Sequence, residues 1–335
     1  MTFRKFFSIA LALYGVNISA HHGNSEYDQS RVIDVQGVIT KFEWRNPHAY
    51  LYLRTTDQEG REGQLRIESA SPSALFAYGV SRDSFSEGEM VTATISPSRS
   101  RPMVTAFGYR ITKSNGNIIP LTVRDAAEIK RDKPVANSIA GIWVPRQEYF
   151  YQMIQSRPTW PMTPKARAAW QSYNIKQSSM AKCVPPPPPM LMTYPNITRI
   201  DVHDGYVSIL MDGQGDLAER IIYTDGRGHP DAGQQLLHGH SVGRWQGTTL
   251  IVETTNFTPN DSGSIAGIPG GTQKKLTERF ELTDDGNGLT YYYKVEDPEF
   301  LSSPYSAQYV WDFRPDVSLT GVDCDPEVAS RYLDE

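Results

Sequence analysis

Cysteine is nearly missing from this chain: two residues in 335, Cys183 and Cys324. Neither sits in a Cys-x-x-Cys pair, which argues against a zinc site built on thiolates. An excess of positive charge is also lacking. The formal net charge is −5, with charged residues at 21%, so there is no electrostatic footprint for nucleic acid and no pull toward an anionic membrane surface. No stretch approaches the ~20 apolar residues of a transmembrane helix. There is no Walker loop and no Gly-x-Ser-x-Gly elbow, which speaks against a phosphate cradle and against a serine hydrolase.

What is present begins with a targeting segment. Arg4 and Lys5 precede a short, mostly apolar run from Phe6 to Val16, and Asn17-Ile18-Ser19-Ala20 ends in a small residue. This reads as a signal peptide over residues 1–20, cut near Ala20, and predicts a periplasmic or secreted protein. In such a compartment Cys183 and Cys324 are expected to form a disulfide. Aromatics at 11%, including 18 Tyr, favour β-structure and a stacking pocket.

Two units follow, residues 21–125 and 141–335, joined by a charged, proline-ended linker at 126–140. In the first, Val38, Thr40, Phe42 and Trp44 alternate, as do Leu51 and Leu53 against Tyr50 and Tyr52. Three strands, a short helix at Ser73–Tyr78 and two further strands give the order of a small OB-like barrel. The second unit opens on Gly141-Ile142-Trp143, similar to the start of a lipocalin strand. A helix is predicted at Pro164–Tyr173 and a stiff surface polyproline connector at Pro185–Pro189. Strands are predicted at 196–202, 205–211, 219–224, 240–246, 248–256, 274–283, 288–296 and 306–313. Asp204-Gly205, Gln246-Gly247 and Asp285-Gly286-Asn287-Gly288 supply the turns. The whole is therefore mainly β, an OB-like barrel followed by an up-and-down antiparallel barrel. Gly263–Gly271 reads as a lid or hairpin loop.

Polar chemistry gathers between Tyr223 and Phe257. His229, His238 and His240 stand there beside Asp225, Arg227, Asp231 and Arg244. Alternation places Glu278 on an apolar stripe with Leu276, Phe280 and Leu282. Matching stripes are Leu289, Tyr291, Tyr293, Val295 and Asp297 on the next strand, and Ala307, Tyr309, Trp311 and Phe313 on the last. If these stripes line a hollow interior, Glu278 becomes a desolvated carboxylate suited to acid–base work. The alternative is a structural Glu278 bonded to Arg244 or to a tyrosine hydroxyl. Asp231 could fix the tautomer of an imidazole, and the three histidines could converge on a metal. A second candidate lies at the mature N-terminus, where the amine and ring of His21, with His22 or His48, suit copper.

Ala20-His21-His22 followed by Phe42-Glu43-Trp44-Arg45-Asn46-Pro47-His48 resembles a widespread exported bacterial family of uncharacterised small β-domain proteins. The blocks Asp225–Pro230 (DGRGHP), Gly239–Trp245 (GHSVGRW) and Val252–Phe257 (VETTNF) resemble a second exported family, lipocalin-like and often joined to the first. His229 and His240 fit that pattern. The chain departs from it at Leu236-Leu237-His238, where a Trp-containing turn is expected. The resemblance implies no activity.

The expected function is thus that of an exported enzyme acting on an apolar or aromatic small molecule in the C-terminal barrel. The chemistry would be acid–base (isomerisation, hydration, elimination or cyclisation) without an organic cofactor. Glu278, His229 and His240 would exchange protons, Asp231 would orient, and Arg244 would stabilise an anion. Tyr223, Trp245, Glu253, Tyr291, Tyr293 and Trp311 would form the ligand-binding wall. The alternatives are a lipophilic-ligand carrier and a periplasmic copper-binding protein. Tyrosine and tryptophan also stack on sugars, which leaves a glycan open.

Overall fold

The computed structural model describes residues 26–45, 48–56, 60–76, 79–122, 134–194, 196–211 and 217–319. The expected signal segment, His21, His22 and Cys324 lie outside the described residues, as does most of the linker.

The first unit comprises β1 (Ile33–Glu43), β2 (Tyr50–Thr56), β3 (Glu62–Glu68), helix α1 (Pro72–Phe76), β4 (Met90–Pro97), β5 (Thr105–Lys113) and β6 (Ile118–Pro120). β1 pairs with both β2 and β4, and β4 with β5. A parallel contact of β3 with β5, Ile67 opposite Ala106, closes a five-stranded barrel in the OB order. Leu51, Leu53, Leu65, Ile67, Ala93 and Ile95 fill it. The face assigned to β1 needs one correction. Its register shifts between Ile39 and Lys41, so Ile39 is the buried residue while Val38 and Thr40 are not. A bulge adds a residue and flips the parity that simple alternation assumes.

The second unit is a closed nine-stranded barrel. Its strands are β7 (Gly141–Pro145), β8 (Thr198–His203), β9 (Tyr206–Met211), β10 (Ala218–Tyr223), β11 (His240–Gln246), β12 (Thr249–Thr255), β15 (Lys275–Leu282), β16 (Gly288–Glu296) and β17 (Tyr305–Phe313). Every neighbouring pair is antiparallel except β10 and β11, which run parallel with Ile222 opposite Ser241. An odd ring of alternating strands must leave one like-directed pair, and here it falls at the histidine-rich connection. That connection, residues 224–239, returns along β10 before β11 begins.

Helix α2 (Gln147–Ser156) lies where no element is predicted from the sequence, since its Tyr149, Phe150 and Tyr151 are residues that favour strands. Helix α3 (Pro164–Ser172) starts where proline at its first turn requires, with the Thr163 hydroxyl accepting from the Ala166 amide at 3.2 Å.

One further expectation changes. The proline tract does not cross the surface: Pro186–Pro189 are buried, and the carbonyl of Pro188 accepts from the Lys274 ammonium at 2.5 Å. A buried segment without N–H donors leaves few backbone groups needing partners, so proline is tolerated there. The glycine-rich run, read as a lid or hairpin loop, forms a hairpin, β13 (Asn260–Ile265) with β14 (Ile268–Gly270), in contact with α3. A Cβ on Gly263 would lie 2.3 Å from the Gly270 amide nitrogen, so glycine here permits backbone-to-backbone contact.

The three stripes read from alternation do face the barrel interior. Glu278 stands opposite Tyr293, Phe280 opposite Tyr291, and Leu289 opposite Trp311. Those six side chains, with Trp143 and Leu276, have no solvent-exposed surface. The interior is therefore a packed core rather than the expected greasy hollow. Barrels of about this strand number are just wide enough for side chains to fill.

Candidate functional site

Two polar clusters lie back to back across the wall formed by β10, β11, β12 and β15. On the inner face, Ala218, Arg220 and Ile222 of β10 point inward, as do Ser241 of β11, Thr254 of β12 and Glu278 of β15. Arg220 Nη1 donates to Glu278 Oε1 at 2.8 Å, and Nη2 donates to Oε2. The guanidinium also donates to the Ser241 hydroxyl at 3.1 and 3.2 Å and to the Thr254 hydroxyl at 2.8 Å. The Tyr291 hydroxyl completes the set, donating to Glu278 Oε1 at 2.9 Å.

Side-chain exposure is 1% for Arg220 and 0% for Glu278. Burial opposes the Arg220 charge, but the adjoining carboxylate outweighs it and holds the guanidinium pKa above its usual value. Burial, reinforced by Glu278, likewise pushes the Tyr291 hydroxyl well up. The partner of Glu278 is thus Arg220 with Tyr291, not Arg244. Both carboxylate oxygens are engaged and neither meets solvent.

On the outer face, the connection 224–239 folds back so that His229 Nδ1 lies 3.1 Å from His240 Nδ1. The rings meet edge to face at 75° with centroids 5.3 Å apart. His240 stacks on Tyr223, whose ring lies 3.9 Å from the guanidinium carbon of Arg227. Arg227 is itself paired with Asp225. His229 Nε2 is shielded, has no hydrogen-bond partner, and lies 3.6 Å from Glu253 Oε1. Glu253 is paired with Lys275 at 2.5 Å, and that bond, above burial, keeps its carboxyl below the usual range. Burial first, then His229 and Arg227, lowers the His240 pKa below the ordinary histidine value.

Local backbone chemistry fixes this geometry. Asn256 adopts a left-handed φ of 57°, and its side-chain amide donates to the carbonyls of Pro230 at 3.2 Å and Asp231 at 3.0 Å. Asparagine tolerates that conformation better than most residues. Gly239 has φ of 70°, and a Cβ there would meet Thr254 Cγ2 at 2.6 Å and the Thr255 carbonyl at 2.7 Å.

The Nδ1–Nδ1 contact admits one proton, so one ring donates and the other accepts. A carboxylate facing His229 Nε2 favours the proton on that nitrogen. His229 Nδ1 then accepts from His240 Nδ1–H, which leaves the lone pair of His240 on Nε2. The arrangement can present a neutral imidazole base whose orientation is set by a second imidazole and a carboxylate.

The sequence-nominated residues divide accordingly. Tyr223, His229, His240 and Glu253 come together outside the wall; Glu278, Tyr291, Tyr293 and Trp311 are buried inside it. Asp231 is exposed, and the carboxylate that lies beside His229 is that of Glu253. Arg244 and Trp245 are exposed toward the other end of β11, Trp245 by 40%. His238 does not join the other two histidines: its Nδ1 lies 3.4 Å from the Glu219 carbonyl, and burial lowers its pKa. Among the described residues, no group of three or more His, Cys, Asp or Glu is placed to hold a metal. His48 Nδ1 donates to the Ser69 carbonyl at 2.9 Å.

Arg220 and Lys274 escaped sequence reasoning, although the signal was present. Arg220 shares its face with Ala218 and Ile222, and the stripe of Leu276 and Glu278 extends back to Lys274. Lys274 is buried, its ammonium held by the Pro188 and Gly263 carbonyls and 4.0 Å from the Phe257 ring centre.

Residues 10–105 match a family of unknown function, DUF6152. The match covers the second half of the expected signal segment and most of the first barrel, and none of the second. No curated protein matches the chain.

Proposed function

We propose that this chain is an exported protein whose C-terminal barrel acts on a small molecule by acid–base chemistry at its outer wall, without an organic cofactor. His240 takes and returns the proton; His229 and Glu253 position it. The reaction class is proton transfer, as in isomerisation, hydration, elimination or cyclisation. The carrying observation is the 3.1 Å contact between the two imidazoles. In this reading the substrate lies at the outer wall beside Tyr223 and His240, because side chains fill the barrel interior. The signal peptide over residues 1–20 and a Cys183–Cys324 bridge belong to this reading; among the described residues no cysteine is free, which supports the bridge.

The test follows histidine ring protons by NMR during a pH titration. His240 is expected to titrate below the ordinary midpoint of ~6.5. His229→Asn should raise that midpoint, because His229 is among its lowering causes. In D2O, deuterium incorporation into small molecules from a cell-envelope extract should fall about a hundredfold with His240→Asn. Two histidines titrating independently, or exchange indifferent to His240, would end the reading.

A second reading concerns copper at the mature N-terminus, and one observation favours it. The Tyr27 hydroxyl donates to Glu68 Oε2 at 2.7 Å, and His48 Nδ1 lies 3.6 Å from Glu68 Oε1. The chain six residues after His21 therefore passes close to His48. Correctly processed protein is expected to take up stoichiometric copper and to lose it with His48→Ala. Uptake unaffected by that substitution would exclude His48 as a ligand.

A further inference from the structure

The outer faces of β8, β9 and β10 form a depression of about 490 Å3 that ends at Tyr223. We infer that it is a binding cleft for a neutral carbohydrate. This rests on the proposed function only in sharing Tyr223, and it names the substrate class for that site.

The first argument is the row of rings. His203 lies flat on Tyr206, centroids 4.4 Å apart at 18°. Tyr206 stands directly opposite Tyr223 on the neighbouring strand, and Tyr223 stacks on His240. Cross-strand partners on one face sit about 5 Å apart, a spacing commensurate with one sugar ring. Tyr206 is 36% exposed with His203 against one face of its ring, so part of the residue stays accessible to a ligand. A pyranose offers an apolar C–H face to such a platform.

The second argument is charge. Arg199 is paired with Asp201 at 2.8 Å, and Arg227 with Asp225. The cleft therefore offers an anion no unpaired arginine. Glu219, which lines it, has no ion pair among the described residues, and the Ser208 hydroxyl lies 3.2 Å from His203 Nε2. An apolar ligand would strip water from Asp201 and Glu219 and return no hydrogen bond. A cationic ligand would meet Arg227 already seated on the Tyr223 ring. A neutral polyol satisfies both demands, since its hydroxyls donate to carboxylates while its C–H face lies against the exposed part of Tyr206.

The experiment is calorimetric titration of the mature chain with neutral trisaccharides. The panel comprises α- and β-linked glucose, xylose, galactose and N-acetylglucosamine oligomers. At least one is expected to bind saturably. Tyr206→Ala should weaken it about tenfold with an unchanged circular dichroism spectrum, and Tyr206→Phe should restore most of the affinity. No binding by any member, or binding indifferent to Tyr206→Ala, overturns the inference. Tyr206 does not touch the histidine pair, so the two readings fail separately. Absent sugar binding with His240 still titrating low removes the carbohydrate and spares the acid–base reading. Sugar binding with an ordinary His240 leaves a non-catalytic carbohydrate-binding module.

Discussion

Glu278→Ala is expected to lower the stability of the second barrel by about 3–5 kcal/mol, because it leaves the Arg220 guanidinium buried without its counter-charge. Arg220 has 1% of its side chain exposed, and its remaining partners are the Ser241 and Thr254 hydroxyls. Those are neutral dipoles and cannot replace a carboxylate. Urea unfolding followed by tryptophan fluorescence measures the effect, since Trp143 and Trp311 lie in this core. A matched pair separates charge from packing. Arg220→Met with Glu278→Leu removes both ions and keeps the volume, and should recover most of the loss. Tyr291→Phe deletes one hydrogen bond to Glu278 and should cost only about 1–2 kcal/mol. A loss below about 1 kcal/mol for Glu278→Ala would show that the ion pair does not hold the wall together. The experiment also bears on function. If Glu278 is a structural anchor behind Ser241 and Thr254, its neutral substitution disturbs the outer histidines only through the wall they share.

Strand alternation made the inner face of β15, β16 and β17 legible, and all three stripes face inward as read. Turn chemistry was equally plain, as at Asp204-Gly205, where Gly205 has φ of 81°. Alternation failed at Ile39, where a bulge shifts parity, and it said nothing about how strands close on one another. The parallel contact of β10 with β11 follows from ring closure over nine strands, a global condition no local pattern carries. Strand parity, not that contact, separates His240 from Glu278. The two are read as one site in sequence, yet adjacent residues on a strand point to opposite faces, so Ser241 faces Glu278 while His240 faces outward. Arg220 shows the converse failure: a charged residue on an apolar face was passed over although its neighbours' parity already placed it inside. The Glu253–His229–His240 line depends on a loop held by Asn256, and loop geometry of that kind has no periodic signature.

Lys274 supplies the second large effect, and its sign can be worked out. Burial pushes its pKa down to about 7, with Asp297 and Glu278 opposing the shift and Arg220 adding to it. In the unfolded chain it titrates near ~10.4. Below about pH 7 both states carry the proton, and the folded state bears the full penalty of a buried cation. Between pH 7 and 10 the folded amine has released a proton that the unfolded chain still holds, so stability rises with pH through that window. From pH 6 to 9.5 the gain is about 3 kcal/mol at 1.36 kcal/mol per pH unit. Lys274→Met keeps the packing against Phe257 but has no proton to release. It leaves the Pro188 and Gly263 carbonyls without their donor at every pH. The stability difference between the natural chain and the variant should therefore widen by about 3 kcal/mol in favour of the natural chain from pH 6 to 9.5. Denaturant unfolding at pH 6, 8 and 9.5 reads it. Parallel pH curves for the two proteins would mean that the Lys274 amine has the same affinity for protons folded and unfolded. A buried ammonium held by two carbonyls and a ring could then carry its charge at no cost. His238, whose own pKa Lys274 helps to lower, provides an internal check. In the Met variant its midpoint should rise, because a neighbouring positive charge has been removed.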